Sequence, residues 1–288
     1  MFFSALDEIP AKAIHHQPKY DRRNILGVKN IIAFSSGQGK VGKTTVAVNT
    51  AVMLAQAGLK IGLLDAETNS DRSSEILGIK QPYIPTSKGL FQPVDNFGVK
   101  LLAIASLIDR DPLEDWCDEW CNYWLNQEIK RILEEVQWGN LDYLIINLPP
   151  RMGDIQIALA QAFSFDGVVM VATDDKKAHP DIYKTVSMFE QLQAPVIGLL
   201  ENKSNILAAD ISKRKYEIQD SEPSNPKLRV PFLGYIPLDP IVAQYKNRGL
   251  PIVVAEPSSM FTSALQIIVW AISSQISISA LKSRNFDV

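Results

Sequence analysis

Seven short apolar runs recur along the chain, at residues 30–34, 60–64, 99–105, 141–146, 167–171, 195–200 and 232–236. Most of their apolar residues follow one another without alternating, the pattern of strands buried on both faces. Helical spacing fills much of the sequence between them, most clearly in the Ala/Val/Leu-rich stretch 45–56. Strands alternating with helices predict an α/β fold, a doubly wound and mainly parallel sheet with helices on both faces. Such a sheet binds its ligand beyond the C-terminal ends of its strands. Residues 1–28 are polar and broken by Pro10 and Pro18, so they read as a flexible arm ahead of a single domain at 29–288. His15 and His16 in that arm have no further ligand pattern nearby and read as a solvated tail. The stretch 204–230 is rich in Lys, Ser, Asp and Pro and reads as a polar insertion, mobile or facing a partner.

Composition narrows the function. The 288 residues are 46% hydrophobic, with a mean hydropathy of -0.01, values of a globular rather than a membrane-embedded chain. A net charge of -3 gives no overall electrostatic pull toward nucleic acid. The apolar part of 258–282 is too short to span a bilayer and is expected to dock on the sheet. The first six residues are too short for a secretory leader, so the cytoplasm is the expected location. The two cysteines, Cys117 and Cys121, fit a reducing compartment.

The chemistry is concentrated just after the first apolar run, in Gly37-Gln38-Gly39-Lys40-Val41-Gly42-Lys43-Thr44-Thr45. This stretch fits G-x-x-x-x-G-K-[ST], placed between a strand and a helix as that pattern requires. Glycines let the backbone wrap phosphate oxygens, and the following helix offers free N–H groups and a positive dipole end. Lys43 then reaches the terminal phosphates and Thr44 is positioned for magnesium, so ATP or ADP with Mg2+ is the expected ligand.

Further segments resemble the Mrp (ApbC) type of P-loop ATPase, within the MinD/ParA deviant Walker A group. Leu63-Leu64-Asp65-Ala66-Glu67 is similar to that family's second motif, and Trp138-Gly139-Asn140-Leu141-Asp142-Tyr143-Leu144-Ile145-Ile146-Asn147-Leu148-Pro149-Pro150 to its Walker B strand and switch. Glu201-Asn202-Lys203-Ser204 stands where the family has Glu-Asn-Met-Ser, and Pro237-Leu238-Asp239-Pro240 resembles a closing segment. The resemblance spans about residues 25–275. It implies ATP hydrolysis by water attack, with Asp65 or Glu67 orienting the water, Asn202 reading the adenine edge, and a nucleotide-sandwich dimer.

Several positions depart from that pattern, and all of them bear on chemistry. The lysine that crosses the family's dimer is Gln38 here, and a family glycine is Lys40. Lys40 either folds back to replace the lost charge or faces solvent or a partner. Asn147 replaces the Walker B aspartate, leaving an amide carbonyl to accept from a magnesium-bound water without supplying charge. Arg151 occupies the switch turn, either as an arginine finger in cis or as the mark of a switch that no longer responds. Glu67 is one methylene longer than the family's carboxylate. Together these changes predict nucleotide binding with weak or absent hydrolysis, hence a nucleotide-binding scaffold or regulator. The alternatives are an active ATPase of iron–sulfur cluster or metallocofactor assembly, and a ParA/MinD-like positioning ATPase.

The family's cluster-binding C-x-x-C follows its Glu-Asn-Met-Ser segment, and 204–230 contains no cysteine. Cluster carriage by that route is therefore not expected. Cys117 and Cys121 would share a helix face, and a twofold dimer could gather four thiolates from them, although buried packing is the commoner fate of free cysteines. Trp116, Trp120 and Trp124 recur every fourth residue, a stripe suited to core or dimer surface. The expected assembly is a homodimer or a hetero-oligomer with an active relative, and nothing in the sequence points to nucleic acid or membrane.

Overall fold

The computed structural model describes residues 22, 24–81, 83–85, 91–108, 135–175, 179–204 and 230–284. Each of the seven apolar runs forms a strand there: β1 (Val28–Ser35), β2 (Ile61–Asp65), β5 (Val99–Ala103), β6 (Leu141–Asn147), β7 (Gly167–Ala172), β8 (Val196–Ser204) and β9 (Phe232–Pro237). Two further strands, β3 (Tyr83–Pro85) and β4 (Phe91–Asn96), were not expected from the sequence. The sheet order is β3-β4-β5-β2-β6-β1-β7-β8-β9. All pairings from β5 to β9 are parallel, whereas β4 runs antiparallel to both β5 and β3. Pro85 and Pro93 lie in this edge hairpin, where a missing N–H is tolerated.

Eight helices are seen among the described residues: α1 (Lys43–Gln56), α2 (Arg72–Leu77), α3 (Ala105–Ile108), α4 (Asp154–Ala162), α5 (His179–Gln191), α6 (Ile241–Lys246), α7 (Ile252–Ala255) and α8 (Met260–Arg284). Alternate residues of one strand serve two cores. Ile31 and Ala33 of β1 join Leu159 of α4 and Val186 and Phe189 of α5 on one face. Ile32 and Phe34 join Val46 and Val48 of α1 and Leu265 and Ile268 of α8 on the other. The central strands are covered on both sides, which is why they read as unbroken apolar runs.

The stretch Met260–Ile278 of α8 is long and apolar enough to cross a membrane by length and composition. The expectation that the run is too short to span is thus corrected, but its Leu265, Ile268, Val269, Ile272 and Ile276 are buried in the core beside α1, so the helix docks as expected from the sequence. Arg22, inside the stretch read as a loose arm, donates to the carbonyls of Ala160, Leu192 and Gln193 and so ties the chain to α4 and the end of α5. His15, His16, the Trp116–Trp124 stripe with both cysteines, and 205–229 lie outside the described residues.

Candidate functional site at the phosphate loop

Strand order reverses direction around β1, whose neighbours are β6 and β7, and the loop leaving β1 lies at that switch point. A Cβ on Gly37 would come within 2.6 Å of Ile182 N and 2.7 Å of the Asp181 carbonyl carbon, so the loop approaches α5 backbone to backbone. Gly42 has φ 87°, and a Cβ there would overlap Asn202 Nδ2. The helix α1 starts at the next residue, with Gly42 as an N-cap that has no side chain to occupy the first-turn N–H groups. Gln38, Gly39, Lys40, Val41, Gly42, Lys43, Thr44 and Thr45 line a cavity of about 160 Å³.

Lys43 is the electrostatic centre of this cavity. Its side chain is 4% exposed, and its ammonium donates to Glu67 Oε1 at 2.8 Å and to Asn147 Oδ1 at 2.6 Å. Burial draws its pKa below the usual lysine value, with the Glu67 charge opposing. Parallel pairing sets Asp65 of β2 beside Asn147 of β6, and Asn147 Nδ2 donates to Asp65 Oδ1 at 2.9 Å and to Thr44 Oγ1 at 3.2 Å. Asp65 is fully buried. Burial pushes its carboxyl up to about 6, opposed by the Ser73 hydrogen bond and by Lys43. For Glu67, burial acts upward but is outweighed by the charge and hydrogen bond of Lys43, with Ser70 adding a further bond, so its carboxyl lies below the usual range.

This geometry assigns a place to each residue singled out in the sequence. Lys43, Thr44, Asp65, Glu67 and Asn147 form one connected network. The Asn147 carbonyl, expected to face a magnesium-bound water, is engaged by Lys43, and its amide nitrogen faces the hydroxyl and carboxylate instead. Gln38 turns toward its own chain, with Nε2 3.5 Å from Asp181 Oδ2. Asn202 is buried and donates to Val41 O at 2.8 Å, and the adjacent Lys203 donates from Nζ to Lys40 O at 2.8 Å. Two consecutive residues from β8 thus hold two consecutive loop carbonyls. Lys40 has φ 66°, a left-handed conformation that glycine adopts without strain and lysine does not. Arg151, also left-handed at φ 67°, is exposed and meets the loop through its backbone, N to Ser36 O at 2.9 Å. Pro150 forms the pocket wall at that turn.

Sequence reasoning missed Lys203, Arg72 and Lys246, the last two of which also line the cavity. For Arg72 a signal was present, because Asp71-Arg72-Ser73-Ser74 is a helix start: the Asp71 carboxylate accepts from Ser74 N at 3.1 Å. Magnesium fits the donor set, since the Thr44 hydroxyl and the Glu67 carboxylate are hard oxygen ligands that line the cavity 3.3 Å apart, with the buried Asp65 carboxylate behind them.

A phosphate loop at the switch point of a doubly wound parallel sheet, with a buried lysine aimed into it, defines the class of P-loop nucleotide-binding proteins. Solved structures agree with this class. A nucleotide-binding protein from Archaeoglobus fulgidus, solved in complex with ADP, superposes with a TM-score of 0.60 at 25% identity, covering 82% of this chain and 91% of that one. The cell division protein MinD from Aquifex aeolicus shares the fold, with a TM-score of 0.59 at 23% identity, covering 85% and 97%. The chain belongs to the ParA family of NUBPL iron-transfer P-loop NTPases, whose family model it matches over residues 27–273. It is 38% identical over 268 residues to the iron–sulfur cluster carrier protein of Synechocystis, a span of 91% of this chain and 75% of the relative. Identity is 33% over 243 residues to an Arabidopsis thaliana mitochondrial protein named as an iron–sulfur protein required for NADH dehydrogenase, covering 83% and 76%.

Proposed function

We propose that this chain is the nucleotide-binding ATPase of an iron–sulfur cluster assembly or transfer step, with slow turnover. The single observation that carries the nucleotide half is the buried Lys43 at the floor of the loop cavity, joined to Thr44, Asp65 and Glu67. Lys43 exchanges its contact with Glu67 for the phosphates, and the α1 N-terminus holds the remaining oxygens. Glu67, released from Lys43, is free to accept a hydrogen bond from the attacking water, and Asp65 fixes the Glu67 backbone N–H at 3.1 Å. Thr44 would hold magnesium beside the charge of the two carboxylates, and the ion would supply charge to stabilise phosphoryl transfer. Slow turnover follows from Asn147, which brings no negative charge to that group.

The relatives' names support the iron–sulfur half and weigh against the expectation that no cluster is carried. Within this sequence the thiols available for a cluster as cargo are Cys117 and Cys121, one pair per subunit of a dimer. A nucleotide-sensing scaffold without hydrolysis is the second reading, favoured by the use of the Asn147 carbonyl on Lys43. Phosphate release from Mg-ATP separates the two. Turnover abolished by Lys43→Ala supports the ATPase, and micromolar ATP binding with no turnover supports the scaffold. Anaerobic reconstitution with iron and sulfide, on the parent and on Cys117→Ser/Cys121→Ser, tests the cargo: a visible chromophore lost in the double variant supports it, and none in the parent refutes it.

A further inference from the structure

Gln38 leaves the terminal-phosphate end of the cavity without the lysine that the family's pattern would place there, and the structure offers a replacement from within the chain. Arg72 is the first residue of α2 and lines the same cavity as Lys43, Thr44 and Glu67. Its position is set by the site itself. The buried Asp65 carboxylate accepts from Ser73 N at 3.3 Å, so the end of β2 anchors the turn that carries Arg72 to the cavity mouth. Among the described residues no carboxylate pairs with Arg72, whereas Lys246, the other added cation, lies 3.8 Å from Glu75.

We propose that Arg72 is a nucleotide-binding residue that contacts the terminal phosphate of a nucleoside triphosphate in cis, making this chain discriminate triphosphate from diphosphate without a cation from a partner subunit. The proposal rests on the nucleotide-binding reading above. A guanidinium suits it, because its planar fork meets two phosphate oxygens at once and keeps its charge at any working pH. The contact does not exist with a diphosphate, which lacks the γ-phosphate.

The test is calorimetric titration of the full chain and of Arg72→Gln, Arg72→Lys and Lys246→Gln with ATP and with ADP in magnesium. Loss of a charged hydrogen bond weakens ATP binding by about tenfold or more in Arg72→Gln. ADP affinity should change by less than about threefold, and Arg72→Lys should recover part of the ATP affinity. Lys246→Gln reports the general loss of one positive charge and should shift both ligands alike and weakly. Equal losses for ATP and ADP in Arg72→Gln, no loss at all, or the same ATP-selective loss in Lys246→Gln would overturn the proposal. A parent chain that binds neither nucleotide overturns the nucleotide-binding reading and this proposal with it. Arg72 is exposed, and unchanged thermal unfolding of the ligand-free variants checks that any loss of affinity is not a loss of fold.

Discussion

Replacing Asn147 by Asp restores the family's carboxylate, and the structure predicts that the ligand-free protein pays for it in stability. Asn147 is fully buried and is the donor in its bonds to Asp65 Oδ1 at 2.9 Å and Thr44 Oγ1 at 3.2 Å. An aspartate cannot donate when ionised, so one bond to a charged acceptor is lost and two carboxylates face each other across the same gap. Loss of such a bond costs about 1.5–3 kcal/mol, and the added repulsion is partly offset because Lys43 gains a charged partner. A net loss of about 2 kcal/mol lowers the melting temperature by roughly 5 °C. The size of the loss depends on pH: below the folded Asp65 value of about 6 one of the pair is protonated and donates again, so the loss shrinks. With Mg-ATP it should reverse, because the cation neutralises the pair, and phosphate release should rise by about tenfold or more. Thermal unfolding of parent and Asn147→Asp at pH 8 and pH 5, with and without Mg-ATP, reads all of this. A variant as stable as its parent at pH 8 without ligand would refute the assigned donor role of Asn147.

The raised pKa of Asp65 gives a second prediction. A folded value of about 6 against an ordinary 3.8 means the folded protein holds this proton more tightly, so the Asp65 contribution to stability falls as pH climbs through that window. Asp65→Asn removes this term: relative to the parent it should gain roughly 3 kcal/mol between pH 4 and pH 8 in urea unfolding, while losing magnesium-dependent ATP affinity. A constant difference across pH would sink the assignment. Lys40→Gly should relieve the left-handed strain and raise stability by about 1 kcal/mol, seen as a higher urea midpoint with unchanged slope. Lys203→Met frees the Lys40 carbonyl and should weaken ATP binding by about threefold to tenfold with little change in melting temperature, and unaltered affinity would show that the tether is idle.

The seven parallel strands were legible because burial on both faces leaves an uninterrupted apolar signature. The β3–β4 hairpin was not, since Pro85, Pro93, Asp95 and Asn96 break any alternation and an edge needs no second buried face. The phosphate loop was legible because its chemistry is local: nine consecutive residues carry glycine freedom, a cation and a hydroxyl. The network around it was legible only as residue types. That Asn147 gives its carbonyl to Lys43 and its amide to Asp65 depends on the register of β2 against β6, strands separated by about 80 residues and joined by no sequence spacing. Arg72, Lys203 and Lys246 come from three separate elements, and only the closed fold gathers them. The hold of Asn202 on Val41 was hidden for another reason, since resemblance pointed that side chain toward the base rather than toward the loop beneath it.

The place of β1 in the sheet also bears on how the chain is made. It precedes the other described strands in the chain, and Ile31 to Ser35 are buried, yet its two neighbours are β6 and β7, which follow more than 100 residues later. The helix α1 waits longer still, because Asn49 accepts from Val253 N, 204 residues away. A nascent chain therefore emerges with its future centre uncovered and its nucleotide loop unsupported until β6, β7 and the segment around Val253 have been made. Such delayed, non-local pairing is slow and prone to association with other chains. Newly made protein should accordingly depend on chaperone protection of residues 28–56, and ligand can assist folding only in its last stage, after the strands on both sides of β1 have arrived.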